Sequence, residues 1–545
     1  MRQLISGTHK RRLVLTVAAL AVCLPLQPRA AERTEDRERA LAVIEPRLVK
    51  GHVQFLSHDL LEGRDTGERG YEIAREYVAS QFVRMGAQPM ADGTHLQPFE
   101  VLVGGEDRGS RLSVGSVTVE PPDAAFMPDW TAREPVVSGD GVYVGQGLVA
   151  EGRDDYGGVD VRGKVVFLIP GVPPDWVEHP TRGLLGRTKI QVALDRGAAA
   201  VVMLQPGATT PPGPPRPMAL ADGSTPSPRA AVTVGGEATA RLLASWRIDP
   251  AQAETLAVRG APAKPVGAVA ISRARNISRI WSWNVVGIVP GTDPRLRDEA
   301  VVFTAHLDHV GVGDPDEDGD RIYNGTHDNA LGTGKMLAAA EAMVRAPARR
   351  TAIFLAVGAE ERGLLGSWYY VKHPVIPIER TVAALNHDGG LEGEAADDFY
   401  AFGLEFTTLD GPLDRAAAAS GMTLSRDYRP PFSPSQALMF RSDQYSFLVA
   451  GVPAVYLMDG FTVGGDPNRG RDQWDYYLKN VNHKQRDNFD PAWTFESPAR
   501  MAAMSVRAAW LLGDADDPPV IKPNDWFPTT RGVPARPQPT AAVTR

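Results

Sequence analysis

Between Trp283 and Gly513 the chain alternates two hydrophobic textures. Short, nearly continuous apolar runs occur at "WNVVGIVPG", "AVVFTAHLDHVG", "TAIFLAVGAE", "TVAALNHDGG" and "VPAVYLMDG". Each reads as a strand buried on both faces. Among them lie longer stretches with apolar residues three and four apart, "GKMLAAAEAMVRA", "GPLDRAAAASGM" and "ESPARMAAMSVRAAWLLG", which read as helices. Strands alternating with helices predict an α/β fold: a three-layer α/β/α sandwich around a mostly parallel central sheet. Residues 34–90 add helical periodicity, notably in "GYEIAREYVASQFVRMGAQ". From about 110 to 275 the texture becomes short β-like runs, such as "GKVVFLIPG" and "AAAVVMLQPG", interrupted by the proline-rich "PGATTPPGPPRP".

These shifts predict a main α/β domain in two pieces, 31–109 and 276–514, with a β-rich insert at 110–275 and a proline-rich tail at 515–545. The first thirty residues stand apart. Lys10, Arg11 and Arg12 precede an apolar run from Leu13 to Leu24, followed by Pro25 and small residues. That layout is a secretory signal peptide, residues 1–30, whose run is too short for a permanent membrane span. It predicts a periplasmic or secreted protein. Cys23, the single cysteine, falls inside this segment, so the mature chain carries no thiol, which suits an oxidising compartment. No other stretch is apolar enough to cross a bilayer. A net charge of −8 and a pI near 5.8 argue against nucleic-acid binding, which needs a basic face. Oligomeric state is not legible.

The chemistry sits where the predicted strands end, the edge at which α/β sheets place their sites. "AHLDHVG" delivers His306, Asp308 and His309, and "YNGTHDNALGTG" places Asp328 just ahead of a helix. "AVGAEERG" ends in Glu360 and Glu361, "NHDGG" in His387 and Asp388, and "NVNHKQRDNFD" offers His483 and Asp487. Carboxylates at the ends of buried strands are costly unless something positive holds them. Histidines and several carboxylates without cysteine favour zinc, with manganese or cobalt as alternatives. So many ligands exceed the needs of one tetrahedral ion but suit two ions roughly 3.5–4 Å apart sharing a carboxylate.

The ordered set "HLD", "NGTHDNALG", "EERGLLGS", "NHD" and "HKQRD" resembles the M28 family of di-zinc peptidases. So does "LSHDLLEGRDTGERGYEIAREYVASQFVRMGAQP", which is similar to that family's N-terminal helical segment. The resemblance implies two Zn2+ per subunit. His306, Asp328 and Asp388 would hold one ion, and Asp328, Glu361 and His483 the other, with Asp328 bridging. Glu360 would be the general base, and Asp308 the partner that orients His306. The implied activity is hydrolysis of peptides, most directly as an aminopeptidase on free N-termini. A carboxypeptidase or dipeptidase, a single-zinc glutaminyl cyclase-like enzyme, and a non-catalytic binding protein of the same fold are the alternatives.

Three further expectations accompany this reading. Residues 135–260 resemble a protease-associated domain in "YGGVDVRGKVVFLIPG" and "KIQVALDRGAAAVVMLQ". His309, His327 and His387 are expected at solvated or rim positions. The loop "GDPDEDGDRIYNG" has Asp314, Asp316, Asp318 and Gly319 at calcium-loop spacing, but Gly325 stands where the twelfth position needs a glutamate, so a solvated acidic loop is expected. The stretch 461–482 before His483 is expected at the cleft rim.

Overall fold

The computed structural model describes residues 30–130, 136–177, 182–207, 216–224, 230–260, 262–426, 439–524 and 526–532. The expected signal peptide with Cys23 lies outside the described residues, as does most of the proline-rich loop.

Strands Thr351–Val357, Ala300–His306, Thr381–His387 and Ala454–Asp459 lie side by side in that order, all parallel, at the centre of a nine-stranded sheet. Parallel neighbours require crossover connections, and the crossovers cover both faces of the sheet. Phe354 and Ala356 therefore face one core, shared with helices Pro46–Leu56, Arg69–Met85, Gly332–Arg345 and Glu496–Asp514. Ile353, Leu355 and Val357 face the other, shared with helices Leu365–Lys372 and Gln444–Val449. This two-sided burial is why the runs are continuous rather than alternating, and it yields the three-layer α/β/α sandwich.

The parallel arrangement holds for the central strands and not for the flanks. Arg275–Val289 is antiparallel to Thr351–Val357, and Asp398–Phe402 is antiparallel to Ala454–Asp459. Leu96–Asp107 pairs antiparallel with Arg275–Val289 over a long ribbon, from Leu96 opposite Val285 to Asp107 opposite Arg275. Between the two arms of that ribbon, residues 111–272 build a second, eight-stranded sheet with apolar cores of its own. One piece of this middle segment returns to the main sheet: Met218–Leu220 pairs with Leu96–Asp107, placing Leu220 opposite Val101. In the described part of the proline-rich tail, Ile521 and Phe527 are buried against the second core and Ile521 is bridged to Thr407.

What matters for the site is register. His306 is paired with Val357, and Thr304 with Asn386, so the carboxyl ends of three central strands finish level. Whatever follows each strand is delivered to one edge.

Candidate metal centre

His306 is the last residue of its strand and is buried. Its Nδ1 lies 3.0 Å from the backbone carbonyl of Asp308. A carbonyl can only accept, so Nδ1 carries the proton and the Nε2 lone pair faces outward. Nε2 is 3.1 Å from Asp328 Oδ1 and 3.2 Å from Asp388 Oδ1. The expected orientation of His306 by Asp308 thus runs through the main chain and not the carboxylate. That carboxylate is occupied elsewhere: it accepts from the backbone N–H of Glu360 at 3.0 Å and of Glu361 at 3.3 Å, and from the Thr66 hydroxyl at 3.3 Å. Asp308 therefore holds the Glu360–Glu361 turn, where Ala359 is forced to a φ of 58°.

Asp328 sits in an irregular turn, Thr326–Leu331, that leads into helix Gly332–Arg345; its peptide bond to Asn329 is cis. Asp487 pins this turn from a distant segment. Its carboxylate accepts from the backbone N–H of His327 (2.9 Å) and of Asp328 (3.2 Å), and from His327 Nδ1 (2.8 Å). From the other side, the buried Arg64 donates to the carbonyls of Leu307 (2.9 Å), Asn324 (2.6 Å), Gly325 (2.8 Å) and Leu56. It holds the loops carrying His306 and Asp328 together, at a φ of 51°. Left-handed backbone at Arg64, Ala359 and His483 (φ 52°) is costly for residues with a Cβ, and its clustering here is the pattern of a site whose geometry is imposed by its surroundings.

The second oxygen of Asp328 faces the other way. Oδ2 is 2.9 Å from His483 Nε2, which is also 3.1 Å from Glu361 Oε1. His309 Nδ1 approaches the same pair, 2.9 Å from Glu361 Oε1 and 3.8 Å from Asp328 Oδ2. Two donor clusters result, His306–Asp328–Asp388 and His309–Asp328–Glu361–His483, with Asp328 in both. The predicted residues His306, Asp328, Glu361, Asp388 and His483 are all brought together. Asp388 is held by two groups that sequence reasoning does not reveal. Ser442 Oγ donates to its Oδ2 at 2.6 Å, and the Tyr456 hydroxyl to its carbonyl at 2.6 Å.

The electrostatics are those of buried carboxylates sharing imidazole protons. Burial works against ionised Asp328 and Glu361, but the adjacent His306, His309 and His483 prevail, holding Asp328 well below the usual carboxylate range and Glu361 down at about 2. Burial likewise opposes charge on His483, yet Asp328 and Glu361 raise it to about 11. Glu360 behaves oppositely. Burial, reinforced by Glu361, Asp443 and Asp388, pushes it well above the usual range against the pull of His306. Among the described residues, the ion-pair partners of Asp328, Glu361 and Asp388 are imidazoles only. Buried carboxylates supplied with no lysine or arginine partner leave a charge that a divalent cation would satisfy. Donors around an ion bound at 2.0–2.2 Å in a tetrahedral shell are about 3.3 Å apart, close to the separations found. The nitrogen and oxygen donor set fits zinc.

The remaining histidines depart from expectation. His327 is buried, with Nε2 2.9 Å from Glu392 in addition to its Asp487 contact, and despite burial those two carboxylates raise it to about 10. His387 is buried beside Phe303, neither ring nitrogen has a partner among the described residues, and burial keeps its pKa well below the ordinary value. His309 is buried inside the centre. The rim expected from 461–482 contains helix Arg469–Asn480, whose Trp474, Tyr477 and Leu478 line a cavity of about 520 Å3 with Glu360, Asp388 and Arg441.

Fold and site together define a three-layer α/β/α protein with two adjoining groups of candidate metal-ligating side chains at the strand ends. Residues 284–507 match the profile of Peptidase family M28. It is 34% identical over 132 residues to Aminopeptidase YwaD of Bacillus subtilis, covering 24% of this chain and 26% of that protein. It is 30% identical over 184 residues to a probable leucine aminopeptidase 2 of Aspergillus fumigatus, covering 33% of each. The matched segments thus span about a quarter and a third of these relatives' lengths. An aminopeptidase from Aneurinibacillus sp. strain AM-1 aligns structurally over 90% of this chain and 98% of its own, with a TM-score of 0.49 and 20% identity.

Proposed function

We propose that this protein is an exported zinc-dependent aminopeptidase that removes residues from the free N-termini of peptides. The observation that carries the reading is Asp328, whose two oxygens face two separate donor clusters. His306, Asp328 and Asp388 would hold one ion, and Asp328, Glu361 and His483 the other. Zinc bound there supplies Lewis acidity, polarising the scissile carbonyl and lowering the pKa of a water from 15.7 to about 7. The protein's own part is proton transfer and placement. Glu360, one residue before the ligand Glu361, projects to another side of the turn and lines the cavity. Its carboxylate takes the proton of the attacking water and returns it to the departing amine. Asp308 keeps Glu360 and Glu361 in these two directions by accepting from both backbone N–H groups.

Action at the N-terminus rests on the matched segments of the two relatives, both named as aminopeptidases. One feature favours a second reading: Arg441 lines the cavity and could receive a substrate carboxylate, as a carboxypeptidase would need. Export rests on the charge and hydrophobic pattern of the first 24 residues. Among the described residues, no helix is long and apolar enough to cross a membrane. The residues 110–275 would be a protease-associated insert.

The test is a mass-spectrometric time course on zinc-loaded protein with free and N-acetylated peptides, with and without chelator. Stepwise loss from free N-termini, stopped by acetylation and by chelator, is expected. Trimming from the other end would transfer the assignment to the Arg441 reading. Intact peptides in the presence of bound zinc would overturn the peptidase function itself.

A further inference from the structure

We infer that His309 is a fourth protein ligand at the Glu361–His483 position, so that the two metal positions are unequal, one closed and one open. The inference rests on the two-metal reading above and concerns how the ions are held. His309 follows the His306 strand by three residues, and its backbone N–H donates to the Arg64 carbonyl at 3.2 Å. The ring is fully buried. A Cβ on Gly325 would lie 2.6 Å from the ring's Cγ and Cδ2, and Gly325 itself has a φ of 59°. The ring therefore occupies the space a side chain at 325 would need, and the glycine is required both for the turn and for the ring.

Of the two ring nitrogens, Nδ1 faces the carboxylates and Nε2 has no partner among the described residues. The His309 and His483 rings stand edge to face, 5.5 Å between centroids at 76°, and converge on the same two carboxylates from different directions. The four donor atoms are His309 Nδ1, Asp328 Oδ2, Glu361 Oε1 and His483 Nε2. Their separations are 2.9 and 3.8 Å for His309 and 2.9 and 3.1 Å for His483. A tetrahedral zinc shell asks for about 3.3 Å. Four protein donors complete that shell, which is the arrangement of structural zinc, whereas three leave a position for water or substrate. His306, Asp328 and Asp388 are three. The substrate-facing ion is accordingly the one at His306, and the ion beside His309 is retained more tightly.

The test uses the full chain, stripped of metal and reloaded with Co2+ as a spectroscopic probe. Paramagnetic proton NMR counts shifted, exchangeable imidazole N–H signals, and visible absorption reports coordination number. Wild type with two equivalents is expected to show three such signals, from His306, His309 and His483. His309→Ala should show two, a weaker visible band, and loss of the tighter site's affinity by about 100-fold or more, above the 10–100-fold that an outer-shell contact carries. His309→Asn, polar but too short to reach, should behave the same way. Only two signals in wild type, a count that needs no variant to fold, would overturn the inference and leave His309 as a hydrogen-bond donor to Glu361. Unchanged spectra in both variants would do the same. Failure of wild type to bind two equivalents of cobalt would instead bring down the two-metal reading beneath it.

Discussion

The regions around the two large sheets both bury charge, and they neutralise it differently. In the segment 111–272, beside the second sheet, the buried Asp155 is met by Arg153 through two contacts, at 2.7 and 3.1 Å, and by the backbone N–H of Leu148 at 2.9 Å. The spare donors of Arg153 go to the carbonyls of Val258 (2.8 Å) and Ala257 (2.7 Å). Lys189, pulled down to about 7 by burial, caps the carbonyls of Ile169 and Gly171. Both of these buried charges are answered by protein groups. At the edge of the main sheet, Asp328, Glu361 and Asp388 converge with only imidazoles as ionic partners among the described residues, while the buried guanidinium of Arg64 spends its donors on carbonyls. A fold that pairs a buried carboxylate with arginine in one region and gives several carboxylates only imidazoles in another has left room for a cation.

The contrast breaks most decisively at Asp328. Asp328→Ala removes an oxygen from both clusters, so metal content measured after dialysis should fall for both ions together, and peptidase activity should fall below detection. Loss of one ion with retention of the other would mean that the clusters do not share this carboxylate. Glu360→Gln sharpens the same point from the other side. The variant should keep both ions, because Glu360 belongs to neither cluster, while kcat falls by about 10^2–10^4-fold with KM little changed. An unaltered kcat would remove Glu360 from the reaction.

Much of this centre is legible in the amino-acid sequence, and the reason is physical. Strands such as Thr351–Val357 are covered on both faces, so burial writes a continuous apolar run into the chain. Polar residues placed directly after such runs can only emerge at one edge, which makes His306, Glu361 and Asp388 readable. Residues that act across long sequence distances leave no such mark. Ser442 and Tyr456 reach Asp388 from segments more than fifty residues away, and Arg64 acts on carbonyls around residues 307 and 325. His309 lies beside the motif residues, yet the direction of its ring depends on a loop conformation and on the space at Gly325, neither of which has a periodicity. The rim helix Arg469–Asn480 is obscure because its stretch is strongly polar and buries only Gly470, Trp474 and Tyr477.

The second sheet supplies the next comparison. Arg153→Ala would leave Asp155 buried without its cation, which costs about 3 kcal/mol for a buried pair. Chemical denaturation should show that loss, with metal content and kcat at the centre unchanged. A matching loss of metal affinity would show the two regions to be one energetic unit, and the contrast between them would fail.

The smallest effect is expected at a third kind of acidic cluster, the exposed loop 314–320. Its spacing resembles a calcium loop, but the structure shows where its charges go. Asp316 Oδ1 accepts from the backbone N–H groups of Asp318 (2.9 Å) and Asp320 (3.0 Å), and Asp320 Oδ1 from that of Ile322 (2.9 Å). These carboxylates fold the loop on itself in water, where unpaired charge carries little penalty, so no cation is needed to keep them. Asp316→Ala should cost about 1 kcal/mol or less, the net worth of hydrogen bonds at a solvated turn. Calcium added at millimolar concentration should leave the melting temperature of both wild type and variant unmoved. A calcium-dependent rise in wild type, absent from Asp316→Ala, would show that surplus carboxylate marks a cation site at the surface as well as in the buried edge, and burial would lose its place as the discriminating quantity.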